Sequence, residues 1–176
     1  REKGLKHQIK MPKIQGPEKL KSDLELRKDL QSKIPKDYLP MWLREREIET
    51  RQVEPVDLLK AEKLPPFRST WMKPTGKLPS DERIHQALLL YVSDMGLLGA
   101  AVNPHEVNFM SKKFQSASLD HVMWFHGKVN FNNWVLHHMH SPISQNARGF
   151  SRGSIYTKAG KLIASTAQEG IMRIWD

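Results

Sequence analysis

Asp94 stands near the end of a strongly apolar segment, and its surroundings point to chemistry more directly than those of other residues. A carboxylate among apolar residues is costly unless hydrogen bonds satisfy it, and acids in such positions concentrate at functional sites, where they accept protons. The alternative is that Asp94 only binds neighbouring backbone amides. The residue pattern alone leaves both interpretations open.

Ser118, Asp120 and His121 are the residue types of a Ser-His-Asp hydrolase, but their spacing disfavours that mechanism. On an extended strand Asp120 and His121 point to opposite faces, which prevents a proton relay between them. The sequence Gly149-Phe150-Ser151-Arg152-Gly153 matches G-x-S-x-G, but it lies within the predicted strand Arg148–Thr157 and not at the strand-to-helix turn that presents a nucleophilic serine. We therefore predict no covalent serine mechanism.

The histidine run His137-His138-Met139-His140 raises the question of a metal site. A strand places only His138 and His140 on one face, and no carboxylate lies beside them in the sequence. The chain contains no cysteine, which excludes thiolate metal sites and disulfides. We predict packed or hydrogen-bonded histidines, with neither a metal nor a cofactor.

The formal net charge of +9 is concentrated in the N-terminal part of the chain. Residues 1–80 contain 19 Lys and Arg against 12 Asp and Glu, whereas residues 81–176 contain 9 against 7. The basic residues are interleaved with acidic ones and form no patterned basic and aromatic surface, so we predict no nucleic-acid binding. No segment approaches the roughly 20 apolar residues of a membrane span, so we predict none.

Proline spacing and apolar periodicity divide the chain into two parts. Residues 1–50 are predicted to form a basic, proline-containing linker or wrapping arm, extended and solvated over about residues 1–22 and with a short helix from Leu24 to Ile34. Residues 51–176 are predicted to form the domain, although prolines over residues 35–66 argue against long regular elements there. The elements predicted after residue 66 are a strand over Phe67–Lys73, a helix capped by Ser80 and reaching Met95, and strands over Gln115–Phe125, Trp134–Ser141, Arg148–Thr157 and Lys161–Ile174.

The predicted helix carries apolar residues on nearly every face, which indicates that it is buried on most sides. One strand, a long helix and then four strands fit an α+β fold in which an antiparallel β-sheet wraps around a long central helix.

Four motifs in the second part of the chain resemble those of a known family. They are Tyr91-Val92-Ser93-Asp94; Ser118-Leu119-Asp120-His121 running into Met123-Trp124-Phe125-His126; Ala147-Arg148-Gly149-Phe150; and Gln168-Glu169-Gly170. In order and approximate spacing they are similar to the second hotdog domain of the acyl-CoA thioesterase II family, which includes bacterial and peroxisomal thioesterases. The resemblance covers about residues 50–175. Residues 4–12 resemble the connection that leaves the family's first hotdog domain, so we expect that first half to be absent from this chain.

The resemblance implies a hotdog fold and the hydrolysis of fatty acyl-CoA to free fatty acid and coenzyme A. The family's Gln, Asp and Thr/Ser site corresponds to Gln168, Asp94 and Ser118. In that site Asp94 accepts a proton or a hydrogen bond from the attacking water, and Ser118 and Gln168 fix the orientation of that water. The alternative is a non-catalytic hotdog half that serves acyl-CoA binding or dimerisation.

Arg148, Phe150 and Arg152 alternate along a predicted strand, so all three share one face. Arginine suits the phosphates of coenzyme A, and exposed cross-strand charges are the alternative interpretation. We also expect a homo-oligomer or pairing with a second hotdog domain, because the missing half would leave apolar sheet edges exposed. The resemblance indicates a peroxisomal location, with a cytoplasmic one as the alternative because no Ser-Lys-Leu-like tripeptide ends the sequence.

Overall fold

The computed structural model describes residues 3–57, 59–107, 109 and 111–175, and it contains a seven-stranded antiparallel sheet. Strands β1 to β7 span Ile48–Gln52, Phe67–Pro74, Phe114–Ser118, Val122–Phe125, Val135–Gln145, Arg148–Thr157 and Leu162–Ile174. Helices α1 to α4 span Asp23–Asp29, Leu39–Trp42, Glu82–Asp94 and Gly99–Val102, with 3-10 turns at Pro17–Lys19, Gln31–Lys33 and Lys36–Tyr38.

The strands are ordered β1-β2-β5-β6-β7-β3, and β4 also pairs with β7 beside β3. The predicted α+β arrangement, an antiparallel sheet around a long helix, is confirmed. Strand β6 has the predicted bounds, whereas the predicted strand over Gln115–Phe125 is two strands, β3 and β4, separated by residues 119–121. The sheet therefore presents two short strands to β7 instead of one long one.

Strand β1 lies in the region where prolines argue against long regular elements. Its five residues contain no proline and include β-branched Ile48 and Thr50, which suit a strand. They pair antiparallel with β2, from Ile48 opposite Pro74 to Gln52 opposite Thr70. The prediction that the sheet begins at Phe67 is therefore wrong, because β1 precedes that strand.

Helix α3 begins one residue later than predicted and is buried on one side only. Asp81 rather than Ser80 is the N-cap, since its carboxylate accepts a hydrogen bond from the Arg83 backbone N–H. The prediction of burial on most sides is wrong because the sheet covers a single face of the helix. The buried helix residues are His85, Leu89, Val92 and Ser93, while Ile84, Leu90 and Tyr91 are exposed.

The segment Glu82–Val102 meets the length and composition of a membrane-crossing helix, which corrects the prediction that no segment comes close. It is not one straight helix, because α3 ends at Asp94 and α4 starts at Gly99. Leu89, Val92 and Ala100 are completely buried against the rest of the chain. This packing is that of a core helix.

Residues of the arm cover the outer face of the sheet, the face opposite α3. Trp71, Leu136 and Tyr156 are buried there beneath Met11 and Ile14. The arm is also held by main-chain contacts, because the Trp71 indole N–H donates to the carbonyl oxygen of Gln15 at 2.9 Å and Arg51 donates to that of Pro17 at 2.8 Å. The expectation of a solvated arm therefore fails beyond residue 10, where apolar side chains dock onto the sheet.

Candidate active site

Asp94, Ser118 and Gln168 are brought together by three different elements. Asp94 is the last residue of α3, and the chain turns away two residues later at Gly96, whose φ of 103° favours glycine. Ser118 is the last residue of β3 and pairs with Gly170 of β7. Gln168 lies two residues earlier on β7, so its side chain emerges on the same face of that strand as position 170.

The three side chains form a closed hydrogen-bonded network. The Ser118 hydroxyl donates to Asp94 Oδ1 at 2.9 Å. The Gln168 amide Nε2 donates both to Asp94 Oδ1 and to Ser118 Oγ. The carboxylate therefore accepts two donors on one oxygen.

Exposure differs sharply across this network. The Asp94 side chain is 47% exposed, whereas Gln168 is only 1% exposed. Among the described residues, no hydrogen bond is made to Asp94 Oδ2, and the buried Gln168 Oε1 has no partner. The arrangement thus holds one carboxylate oxygen rigidly and leaves the other able to accept a hydrogen bond from a water molecule.

Ser93 and His121 form a second polar contact directly behind Asp94. The Ser93 hydroxyl donates to the carbonyl oxygen of Leu90 at 2.8 Å, and it lies 2.8 Å from His121 Nε2. His121 Nδ1 is 3.9 Å from Asp94 Oδ1. Sequence reasoning missed this contact, although both residues lie within the motifs that resemble the thioesterase family. Asp120 points elsewhere and accepts a hydrogen bond from the Glu169 backbone N–H at 2.8 Å.

His137 is fully buried on the inner face of the sheet, with Nε2 3.1 Å from Thr166 Oγ1. Burial, followed by the nearby rings of His121 and His138, lowers the pKa of His137 from 6.5 to about 3. The ring is therefore neutral at physiological pH and adds no positive charge behind the three-residue network.

The buried neutral His137 should make the folded chain sensitive to acid. Its pKa is depressed in the folded state, so between pH 6.5 and about 3 the unfolded chain binds a proton that the folded chain does not. As the pH is lowered through this range, this group alone should reduce the free energy of unfolding by about 1.4 kcal/mol per pH unit. His137→Gln should flatten the plot of unfolding free energy against pH over pH 4–6 by that amount, as measured by urea unfolding. His7→Gln, on the exposed arm, is the control; equal slopes for the wild type and both variants would contradict the expectation.

A cavity of about 520 Å³ lies beside the end of α3. Tyr91, Met95 and Gly96, which flank Asp94 along the chain, form part of its wall. The opposite wall comes from the arm, from β1 and β2 and from β5, and its apolar members are Met41, Ile48 and Met139. A volume of this size is typical of a small-molecule site.

Charged residues in the cavity wall are largely paired. Arg44 lies 3.6 Å from Glu47, and Arg46 lies 3.6 Å from Asp23. Arg68 donates through Nε and Nη2 to Asn103 Oδ1, at 2.9 and 2.7 Å, and burial lowers its pKa to about 10. Arg68 thus stays a cation at neutral pH.

Arg148, Phe150 and Arg152 share one face of β6, and it is the face opposite the network. Ser151, which pairs with Gln168, points to the inner face and is fully buried. Arg148 Nη1 donates to Glu169 Oε2 at 3.2 Å, and the Arg152 guanidinium lies 5.3 Å from the centre of the Phe150 ring. The structure therefore brings the three predicted catalytic residues together and separates the predicted phosphate-binding residues from them by the sheet.

The histidine run also divides between the two faces of its strand. His138 Nδ1 lies 3.0 Å from Ser69 Oγ on the outer face, and His140 is exposed there. Within the described ranges, no group of three or more His, Cys, Asp or Glu side chains could hold a metal ion.

Comparison with known proteins gives concordant results. Residues 42–171 match the family model described as acyl-CoA thioesterase. The chain is 34% identical over 172 residues to acyl-CoA thioesterase 2 of Haemophilus influenzae. The aligned region covers 98% of this chain and 60% of that protein. An acyl-CoA thioesterase II from Mycobacterium marinum superposes with a TM-score of 0.71 at 28% identity, over 99% of this chain and 59% of that one.

The fold is also that of more distant proteins. A protein of unknown function with a hotdog fold from Alicyclobacillus acidocaldarius gives a TM-score of 0.65 at 16% identity, over 98% of this chain and 58% of that one. The predicted hotdog fold is thereby confirmed. The chain spans about three fifths of the length of these relatives.

Proposed function

The chain belongs to the acyl-CoA thioesterase family, and from this premise we propose that it hydrolyses fatty acyl-CoA to free fatty acid and coenzyme A. The observation that carries the proposal is the convergence of Asp94, Ser118 and Gln168, three residues far apart in sequence, on one hydrogen-bonded network. The same residues are those that the family resemblance singled out.

In the proposed mechanism, Asp94 acts as a general base towards a water molecule bound at Oδ2. Ser118 and Gln168 hold Oδ1, so the carboxylate cannot rotate freely and the water is kept in one orientation. As the water oxygen attacks the thioester carbonyl carbon, its proton passes to Asp94. Collapse of the tetrahedral intermediate expels the coenzyme A sulfur, which takes up that proton.

Direct attack by water makes a distinctive prediction about the enzyme's own mass. The protein quenched during turnover of palmitoyl-CoA should keep its unmodified mass, while fatty acid and coenzyme A appear in equal amounts in mass spectrometry. A protein species heavier by one acyl group would contradict the mechanism and point to a covalent intermediate.

We further propose that the 520 Å³ cavity receives the acyl chain. Tyr91 and Met95 place its wall within one helical turn of Asp94, and Met41, Ile48 and Met139 make that wall apolar. Asp94, Ser118 and Gln168 do not line the cavity themselves, so the thioester would have to lie at the end of the cavity beside Met95 and Gly96 to reach the carboxylate.

Filling the cavity should discriminate between long and short substrates. Met95→Trp should lower kcat/KM for palmitoyl-CoA roughly tenfold relative to hexanoyl-CoA, because the larger side chain shortens the space available to the acyl chain. Ile84→Trp is the matched control, since Ile84 lies on α3, the helix whose C-cap is Met95, is comparably exposed and is not among the residues that line the cavity. If the two variants change the ratio of kcat/KM for palmitoyl-CoA to that for hexanoyl-CoA equally, the acyl chain does not bind in this cavity.

We retain Arg148, Phe150 and Arg152 as the proposed contact for the phosphates of coenzyme A. Gln168 pairs with Ser151, which is three residues, or about 10 Å, from the start of β6. A coenzyme A molecule that bends round the end of the sheet at Arg148 would contact both the face with the two arginines and the face with the three-residue network.

We also propose that two copies of the hotdog domain pair through β4. In the described part of the chain β4 hydrogen-bonds only to β7, so its other edge is open. Trp124 is 52% exposed, and Val122 and Leu119 are exposed beside it. An open edge with apolar side chains favours association with another strand.

A charge on β4 should disrupt this pairing. The purified chain is expected to have the mass of a dimer in analytical ultracentrifugation, and Trp124→Lys should convert it to a monomer because a lysine cannot be buried unpaired in the interface. Ile143→Lys, at a similarly exposed apolar residue of β5, should leave the dimer intact. A wild-type monomer, or a Trp124→Lys dimer, would contradict the proposed interface.

A further inference from the structure

Three arginines line the cavity beside α3, and they differ in whether an acid neutralises them. Arg44 lies 3.6 Å from Glu47, and Arg46 lies 3.6 Å from Asp23. Arg68 forms no ion pair in the part of the chain that the structure describes. The wall therefore holds three cations against two carboxylates, and the excess positive charge belongs to Arg68.

The guanidinium of Arg68 is fixed by hydrogen bonds on one side and retains a free donor group. Its Nε and Nη2 donate to Asn103 Oδ1 at 2.9 and 2.7 Å. Asn103 is itself held, because its amide nitrogen donates to the carbonyl oxygens of Pro65 and Phe67, each at 3.1 Å. Nη1 donates to no protein atom within the described ranges. The N–H groups of Nη1 are thus available to a ligand in the cavity.

Arg68 is a partly desolvated cation. Burial lowers its pKa to about 10, and no acidic side chain among the described residues offsets that desolvation. The guanidinium still carries its charge at neutral pH. A desolvated charge without a counter-ion is unfavourable, so an anion that reaches Arg68 from the cavity gains a charge-assisted hydrogen bond.

Two neutral donors lie beside Arg68 on the same wall. Thr70 follows it by two residues on β2, so both side chains share one face of that strand. Gln52 of β1 pairs directly with Thr70, and both residues line the cavity. The Gln52 oxygen accepts from the Val56 backbone N–H at 3.4 Å, which leaves its amide nitrogen as a donor. A guanidinium, a hydroxyl and an amide nitrogen together make a donor set suited to a carboxylate.

The position of Arg68 along the cavity limits the length of the ligand. Its guanidinium packs directly against Gly99, where an added Cβ would overlap Nη1. The Gly99 backbone N–H donates to the carbonyl oxygen of Gly96 at 3.0 Å. Gly96 marks the end of the cavity at which the thioester must lie to reach Asp94. Arg68 is therefore about one helical turn, roughly 5 Å, from the thioester end, a distance that an acyl chain of a few carbons spans.

We propose that Arg68, with Thr70 and Gln52, binds a carboxylate at the far end of the acyl group, so that the chain hydrolyses CoA thioesters of short dicarboxylic acids such as adipoyl-CoA. The inference rests on the proposed thioesterase function and names a substrate class for it. The water oxygen bonds to the thioester carbonyl carbon, the C–S bond breaks, and the sulfur leaves with the bonding pair and takes up the proton from the water. The far carboxylate is unchanged, and the products are adipate and coenzyme A.

Two substrates of equal chain length test this specificity. The wild type should hydrolyse adipoyl-CoA with a kcat/KM at least equal to that for hexanoyl-CoA. Arg68→Met should lower the ratio of these two values about thirtyfold, because only adipoyl-CoA loses a charge-assisted hydrogen bond. Arg46→Met is the matched control, since it removes a cation of the same wall that has an acidic partner, and it should change the ratio less than threefold. Equal changes of the ratio in the two variants would overturn the proposal.

A second variant covers the case in which Arg68→Met does not fold. Thr70→Val keeps the shape of the side chain and leaves the contact between Arg68 and Asn103 in place. It should lower the same ratio about fivefold, through the loss of one neutral donor to the carboxylate. An unchanged ratio in Thr70→Val would count against the donor set.

Binding of two thioethers that cannot be hydrolysed separates this inference from the proposed function. S-(5-carboxypentyl)-CoA should bind the wild type about tenfold more tightly than S-hexyl-CoA in isothermal titration calorimetry, and Arg68→Met should abolish the difference. A wild type that keeps this difference but releases no thiol from any acyl-CoA would refute the thioesterase function alone. A wild type that releases thiol but binds the two thioethers equally would refute the carboxylate site alone, and binding of neither thioether would refute both.

Discussion

Asp94→Asn should reduce kcat for acyl-CoA hydrolysis by roughly 10³-fold while the chain stays folded. Asparagine has nearly the same shape and can still accept the hydrogen bond from Ser118, so the network is expected to persist. It cannot take a proton from water, and general-base catalysis is therefore lost. The measurement is steady-state thiol release, with circular dichroism and the melting temperature as tests of folding.

Asp120→Asn is the matched control for this variant. Asp120 lies near the site but its Oδ1 accepts from the Glu169 backbone N–H at 2.8 Å, a contact that asparagine can also make. Its kcat should stay within about threefold of the wild type, because no proton transfer depends on it. An Asp94→Asn enzyme with more than a tenth of the wild-type kcat would show that Asp94 is not the base.

Gly153→Ala should lower the free energy of unfolding by about 3 kcal/mol. Gly153 lies on the inner face of β6, where an added Cβ would overlap His137 Nε2 and Thr166 Oγ1. Both side chains are buried and bonded to each other, so neither can move aside without losing its partner. In a chain of this size the melting temperature should fall by roughly 6–12 °C.

Gly76→Ala is the control for the packing effect. A Cβ at Gly76 would meet no atom within 4 Å, so the melting temperature should stay the same or rise slightly through the smaller entropy of the unfolded chain. A Gly153→Ala protein that melts within 2 °C of the wild type would show that the inner face has room for a methyl group, and would contradict the close packing of His137 and Thr166 against Gly153.

The elements predicted best from the sequence are those whose signals are local. Strand β6 has the bounds that its alternation and flanking turns predict, and β7 differs by one residue at its start. Helix α3 was recognised from its apolar periodicity, but its exposed face was not, because periodicity shows which residues are apolar and not how far the sheet extends around them. The exposed Tyr91 and Leu90 belong to that face.

The elements missed were those that depend on distant partners. Strand β1 is stabilised by pairing with β2, and the docking of Met11 and Ile14 depends on an apolar surface formed by Trp71, Leu136 and Tyr156. The composition of these segments does not indicate such partners, because Pro12 and Lys13 separate Met11 from Ile14, and β1 contains a single apolar residue, Ile48.

The residues of the candidate site also differ in whether the signal that identifies them is local. Asp94 could be singled out from its place at the end of an apolar helix, whereas Ser118 and Gln168 were identified by resemblance to the family. The contact of His121 with Ser93 could not be predicted, because it joins residues 28 positions apart. The alternation of side chains along a strand predicted only that His121 points away from Asp120.

Thiol release from palmitoyl-CoA by the purified chain tests the central proposal most directly. The chain contains no cysteine, so every thiol detected by a colorimetric reagent comes from coenzyme A. We expect continuous release, in proportion to enzyme concentration, with one fatty acid formed per thiol and the Asp94→Asn protein near the uncatalysed rate. Release by the wild-type protein at the rate of the Asp94→Asn protein would contradict the assignment of this chain as an acyl-CoA hydrolase.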